Sequence, residues 1–228
     1  MEPPTHQDIT EVPSSVEYTE TTILNQWIYN LATPYIKGRI LEVCSGNAEF
    51  TDYLIAGDFK FRISDPDREI CDLLKQRFSG HLQINAIHKI DPYREDFDAR
   101  YEPYINKFHT LIFVNRPKSS ERQYDGLTNV SKLVRLGGYI LTCIRTEIGL
   151  YNEFDGVFEY WRQLNRRSVK KALGRKFEIV KYQPFNSIHP LKTNAINFRK
   201  YLPEFQIDSN LDPDVGGTFA IVIAVKID

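Results

Sequence analysis

Cysteine is scarce in this chain of 228 residues: only Cys44, Cys71 and Cys143. An odd, sparse set builds no disulfide framework and points to a reducing compartment. There is no CxxC pair and no Cys/His ligand spacing, which argues against a structural zinc site, so no metal is expected. Neither sign of charge dominates: 29 Lys and Arg stand against 30 Asp and Glu, a net charge of -1. The chain as a whole therefore makes no electrostatic case for nucleic acid or an anionic membrane. Long apolar runs are missing too. The longest, Phe219 to Val225, falls well short of the roughly 20 residues that span a bilayer. The first 22 residues are polar, with Pro3, Pro4 and Pro13, and lack the apolar core of a secretory signal. These absences lead us to expect a cytoplasmic protein without a membrane span.

What is present is enough for a sizeable core, with 42% apolar and 26% charged residues. Residues 1–18 read as a flexible arm and 19–228 as one domain. Ile23, Leu24, Trp27, Ile28 and Leu31 recur at helical spacing, and Pro34 stops that helix. From there the pattern alternates. Strands are predicted at 39–45, 59–65, 82–88, 108–115, 138–144, 176–185 and 218–226, and helices at 48–55, 67–78, 122–136 and 154–176. Strands separated by helices imply crossovers and a mostly parallel sheet covered on both faces. The seventh strand has no helix before it, so it is expected to be antiparallel and beside its predecessor. The predicted fold is α/β: a doubly wound, seven-stranded Rossmann-like sheet whose last strand is antiparallel.

Such sheets bind ligands at the carboxyl ends of their strands. The first strand ends in Val43-Cys44-Ser45-Gly46-Asn47-Ala48-Glu49, a small-residue turn into a helix in which Gly46 permits close approach of a ligand. Asp65 ends the second strand, 19 residues after Gly46, near the spacing at which an acid grasps a ribose hydroxyl pair. A dinucleotide loop would want a small residue at position 49. Glu49 there opposes a pyrophosphate, so a nucleoside ligand without phosphate suits the loop better.

At this point the chain resembles the Rossmann-like (class I) S-adenosylmethionine-dependent methyltransferases, over roughly residues 22–228. Their first motif is a strand, an acid, then G-x-G-x-G. Glu42 matches the acid and Gly46 the second glycine, while Cys44 and Ala48 stand in place of the first and third. Asp65 matches the ribose-binding acid of the second motif. Asp91, after the third strand, falls where relatives hold the adenine. Asn115 matches the end of the fourth strand, and Gly137-Gly138 matches the pair that precedes the fifth. His109 replaces the usual Asp of the fourth strand, and the loop after Asn115 departs from the family. The resemblance implies that Glu42, Cys44, Gly46, Asp65, Asp91 and Asn115 surround S-adenosylmethionine.

For acid–base chemistry the candidate is His189, which opens the long irregular stretch after the sixth strand. Residues 186–215 are expected to act as a lid or acceptor-side segment. A run of Arg162, Arg166, Arg167, Lys170, Lys171, Arg175 and Lys176 reads first as a solvated helix face, and alternatively as a docking face for a phosphorylated or nucleic-acid partner. The leading functional expectation is methyl transfer to a small-molecule acceptor, with a sugar or lipid-linked precursor among the candidates. The alternative is a catalytically degenerate relative that binds a nucleoside-like ligand or a protein partner. A nucleic-acid acceptor fits the charge balance poorly.

Overall fold

A computed structural model describes residues 20–114, 120–145, 165–188, 206–208 and 219–228. Ile40–Val43 (β1) is buried along its whole length, as befits a parallel strand with neighbours on both sides and helices on both faces. It pairs in parallel with Phe61–Asp65 (β2) and Phe108–Phe113 (β4). Ile84–Lys89 (β3) lies outside β2, and Val134–Arg145 (β5) lies beyond β4, both parallel. Phe219–Lys226 (β8) inserts antiparallel between β5 and Phe177–Ile188 (β6). The full order is β3-β2-β1-β4-β5-β8-β6-β7. All seven predicted strands are present in the predicted senses. The addition is Gln206–Asp208 (β7), a three-residue antiparallel edge strand too short to leave a sequence signal.

The period-2 alternation of the strands divides the core in two. On one face Leu41, Val43, Leu111, Phe113 and Ile140 pack with Leu127, Val130 and Val169. These last three come from Ser120–Ser131 (α5) and Arg166–Leu173 (α6). On the other face Ile40, Ile63, Ile112 and Leu141 pack with Leu24, Ile28, Leu54 and Leu74. Those belong to Glu20–Ala32 (α1), Glu49–Ala56 (α2) and Arg68–Arg77 (α3). The Trp27 ring on α1 meets Phe185 on β6 at 4.7 Å between centroids. A one-turn helix, Phe97–Arg100 (α4), follows β3 and buries Phe97.

Two predicted helices need correction. The helix expected over 122–136 ends at Ser131, and β5 already begins at Val134, opposite Phe108. Leu133 and Val134 are fully buried, and so short an apolar run suits either period. The register shift between Phe108 and Thr110 accommodates the early strand start and the Gly137-Gly138 pair within it. Of the long helix expected within 154–176, residues 154–164 lie outside the described residues; in the remainder α6 begins after Asn165, which is extended (φ -99°, ψ 176°) and accepts the Ser168 amide on its side chain at 2.9 Å, and α6 ends at Leu173. Asn is a strong N-cap, so it starts a helix rather than continuing one.

Candidate functional site

Between β1 and α2 the backbone alternates in hand. Cys44, Gly46 and Ala48 have φ of 57°, 54° and 63°. Gly46 takes this left-handed form freely, whereas Cys44 and Ala48 each carry a strain of roughly 1 kcal/mol. The three positions are those at which the resembling family places its glycines. Left-handed backbone recurs at every second residue of the loop, at two positions without the help of glycine. Three bonds hold it: Ser45 N–H to Ser64 O at 3.0 Å, Ala48 N–H to Ser45 O at 2.7 Å, and Gly46 N–H to Asp65 Oδ2 at 3.0 Å. The parallel register of β1 against β2 brings the loop to Asp65.

Asp65 is buried and also accepts the Asp67 N–H on Oδ1, at 2.9 Å. A carboxylate has about four lone-pair positions, so two amide bonds leave capacity for further donors such as hydroxyls. Burial raises its pKa from the ordinary value, while the Asp67 and Gly46 amides pull it down. Asp91 accepts the Tyr93 N–H at 2.9 Å and donates its own N–H to the Tyr101 hydroxyl at 2.8 Å. The Cys44 thiol is pushed up to about 12, first by burial and then by the Asp65 charge, with Asp91 adding and a Tyr93 hydrogen bond opposing. The thiol is therefore protonated and is no nucleophile at neutral pH. Cys44, Gly46, Asp65 and Asp91 are thus brought together at one edge, and the charge they gather there is negative.

Glu42 is one residue before this loop's neighbour Val43 and points into the core. It shares the Ile40 face of β1, is 2% exposed, and accepts the Thr51 hydroxyl of α2 at 2.7 Å. Its pKa is raised to about 8, chiefly by burial, with Asp52 adding and the Thr51 bond opposing. The Glu42 carboxylate thus lies in the core and is bonded to α2 through Thr51. Glu49 opens α2, and its carboxylate accepts the Asn47 side-chain amide at 2.6 Å.

Ser45, His88 and Tyr93 are not among the candidates drawn from the sequence. The Ser45 hydroxyl and His88 Nε2 are buried and have no hydrogen-bond partner among the described residues. His88 Nδ1 lies 3.3 Å from the Tyr104 hydroxyl. Buried polar atoms are ordinarily satisfied, so such atoms at a strand end fit a ligand-facing edge. A serine inside the first motif and the tyrosine two residues after Asp91 were the available signals. An open depression of about 690 Å³ lies at the start of α3, lined by Pro66, Asp67, Arg68, Glu69, Asp72 and Lys89, and Cys44, Gly46, Asp65 and Asp91 are not among its lining residues. Asn115, His189 and most of 186–215 lie outside the described residues, as does the arm 1–18. Among the described residues no helix is long and apolar enough to cross a membrane.

No family model matches the chain, and no curated protein matches it. Solved structures do. A SAM-dependent methyltransferase from Methanosarcina mazei superposes with a TM-score of 0.58 at 12% identity, over 87% of this chain and 98% of that one. The N-methyltransferase NodS from Bradyrhizobium japonicum gives 0.55 at 10% identity, over 92% and 97%. The [4+2]-cyclase SpnF gives 0.54 at 13% identity, over 90% and 81%. These likenesses, with the mostly parallel sheet and its antiparallel β8, give the chain the Rossmann-like α/β fold seen in S-adenosylmethionine-dependent methyltransferases.

Proposed function

We propose that this protein transfers a methyl group from S-adenosylmethionine to a small-molecule acceptor, with sugars and lipid-linked precursors the first classes to screen. The observation that carries this reading is the left-handed loop at Cys44, Gly46 and Ala48, bonded to Asp65 and bordered by Asp91. Carboxylates at this edge oppose a phosphate, but they suit a ribose diol and a cationic sulfonium. The residues present therefore fit this donor better than a dinucleotide. In the proposal Gly46 lets the donor approach the backbone, Asp65 accepts from the ribose hydroxyls, and Asp91 borders the adenine. Asn115 completes the pocket beyond β4, Cys44 lines it, and Glu42 holds the loop in shape.

When bound, the donor supplies an activated methyl group that an acceptor nucleophile displaces. The protein's part is to align the two and exclude water. The acceptor side is assigned to 186–215. Its first three residues extend β6 to Ile188 and pair with β7, a correction to the irregular stretch expected from residue 186, and Phe219 starts β8 opposite Arg145 and Phe185 near the same edge. His189, next after β6, is proposed as the base that takes the acceptor's proton.

A tritiated-methyl transfer screen tests the activity. With an acceptor in hand, His189→Ala is expected to lower turnover by roughly a hundredfold or more, with cofactor affinity unchanged. Equal turnover would remove His189 from the chemistry. The second reading, a binding protein without methyl transfer, draws on the non-glycine residues at Cys44 and Ala48 and on the likeness to a [4+2]-cyclase. Binding of S-adenosylhomocysteine without transfer to any acceptor would favour it.

A further inference from the structure

The opposite edge of the sheet gathers the other sign of charge. Arg39 precedes β1, Lys107 precedes β4, Arg135 lies near the start of β5, Lys176 precedes β6, and Lys226 ends the antiparallel β8. The topology brings all five to the amino edge of the parallel strands, around a hollow of about 560 Å³. Asp228 is the one acidic residue among its lining residues. None of the five cations makes an ion pair among the described residues. Lys226 is 8% exposed, and its ammonium is fixed by Asn106 Oδ1 at 2.6 Å and Val134 O at 2.8 Å. Asp228 is the acid that acts on this ammonium, and no direct ion pair joins them among the described residues, so a charge held this deep is only partly compensated.

His109, where the family pattern expects Asp, lies at the centre. Its Nδ1 is 3.1 Å from the Arg39 amide nitrogen, and its Nε2 is 2.8 Å from a guanidinium nitrogen of Arg135. A neutral imidazole has one donor and one acceptor nitrogen. Both neighbours are donors, so either tautomer satisfies one contact and sets two N–H groups against each other in the second. The ring lies against Gly38, where a Cβ would come within 2.6 Å of His109 Cγ, so a glycine at this position is what makes room for it. The conflict disappears if an acceptor bridges the imidazole N–H and the guanidinium.

We propose that this hollow binds the phosphate groups of a small diphosphate-bearing ligand, at the edge of the sheet opposite the methyl-donor loop. Arg135 and Arg39 offer planar guanidinium groups suited to phosphate oxygens. Lys107 and Lys176 supply further charge from the rim, and the Lys226 ammonium supplies it from the floor. The volume matches a small-molecule pocket. A net charge of -1 and an acidic opposite edge weigh against an extended polyanion wrapping the surface.

The test is calorimetric titration of the full chain with inorganic pyrophosphate, with sulfate at matched ionic strength as the control. One saturating equivalent of pyrophosphate is expected, sulfate giving none. Arg39→Gln and Arg135→Gln, both at exposed positions, should each weaken binding by about tenfold or more and leave affinity for S-adenosylhomocysteine unchanged. Pyrophosphate should also raise the melting temperature of the unaltered protein, and the double variant should lose that rise. Absence of saturable binding at millimolar pyrophosphate would overturn the proposal, as would undiminished binding in the double variant. Tight binding of a single-stranded RNA through the same two arginines, with none of pyrophosphate, would replace it with a nucleic-acid surface.

Discussion

Glu42 gives the clearest residue-level consequence. Its pKa is about 8 in the folded chain against a reference near 4.5, so between these values the folded state holds a proton that the unfolded chain has released. Stability from this group is therefore greatest below pH 4.5 and declines as pH rises toward 8. Glu42→Gln keeps an acceptor for Thr51 and removes the titration. Its melting temperature should match the parent near pH 4.5 and exceed it above pH 8, with an upper bound of about 5 kcal/mol; parallel melting curves across pH would contradict the buried placement. The acid was legible as a motif residue. Its burial follows from strand alternation, which puts Glu42 on the Ile40 face under α2, but only once that face is known to be covered. Cys44 and Ala48 were read as departures from a glycine pattern, because a sequence does not display the φ angles that the pattern encodes.

At the scale of elements, the capping chemistry of α6 is separable from the site. Asn165→Ala removes the acceptor for the Ser168 amide and should cost about 1 kcal/mol, lowering the melting temperature by roughly 2–4 °C for a chain of this size. Binding of S-adenosylhomocysteine should not change, and a thermally silent variant would place the helix start elsewhere. The parallel strands β1, β2 and β4 were readable because a buried central strand is a short apolar run between turn residues. The borders of α5 and β5 were not, since Leu133 and Val134 fit both periods and only pairing with Phe108 decides between them. Asn165 was present as a cap signal but was masked by the basic residues on either side of it. β7 has three residues and owes its existence to pairing with β6.

For the whole molecule, the late antiparallel strand joins the two parts of the sheet. β8 pairs along seven positions with β5 and eight with β6, and Ala220 to Ala224 are all buried. Deleting 219–228 should abolish the cooperative thermal transition followed by circular dichroism, because it exposes the facing edges of β5 and β6 together. A truncated chain with a native-like transition would show that the pairing is dispensable. The same topology sends acids to the carboxyl edge and cations to the amino edge, a separation that a net charge of -1 conceals. The central claim concerns the first of these edges, and calorimetric titration with S-adenosylhomocysteine tests it most directly. The account predicts one saturating equivalent for the unaltered protein, and a loss on the order of 2–4 kcal/mol in Asp65→Ala, which removes the carboxylate that braces Gly46 and accepts from the ribose. A folded protein that takes up no S-adenosylhomocysteine at millimolar concentration, or an Asp65→Ala variant that binds it as tightly as the parent, would contradict it.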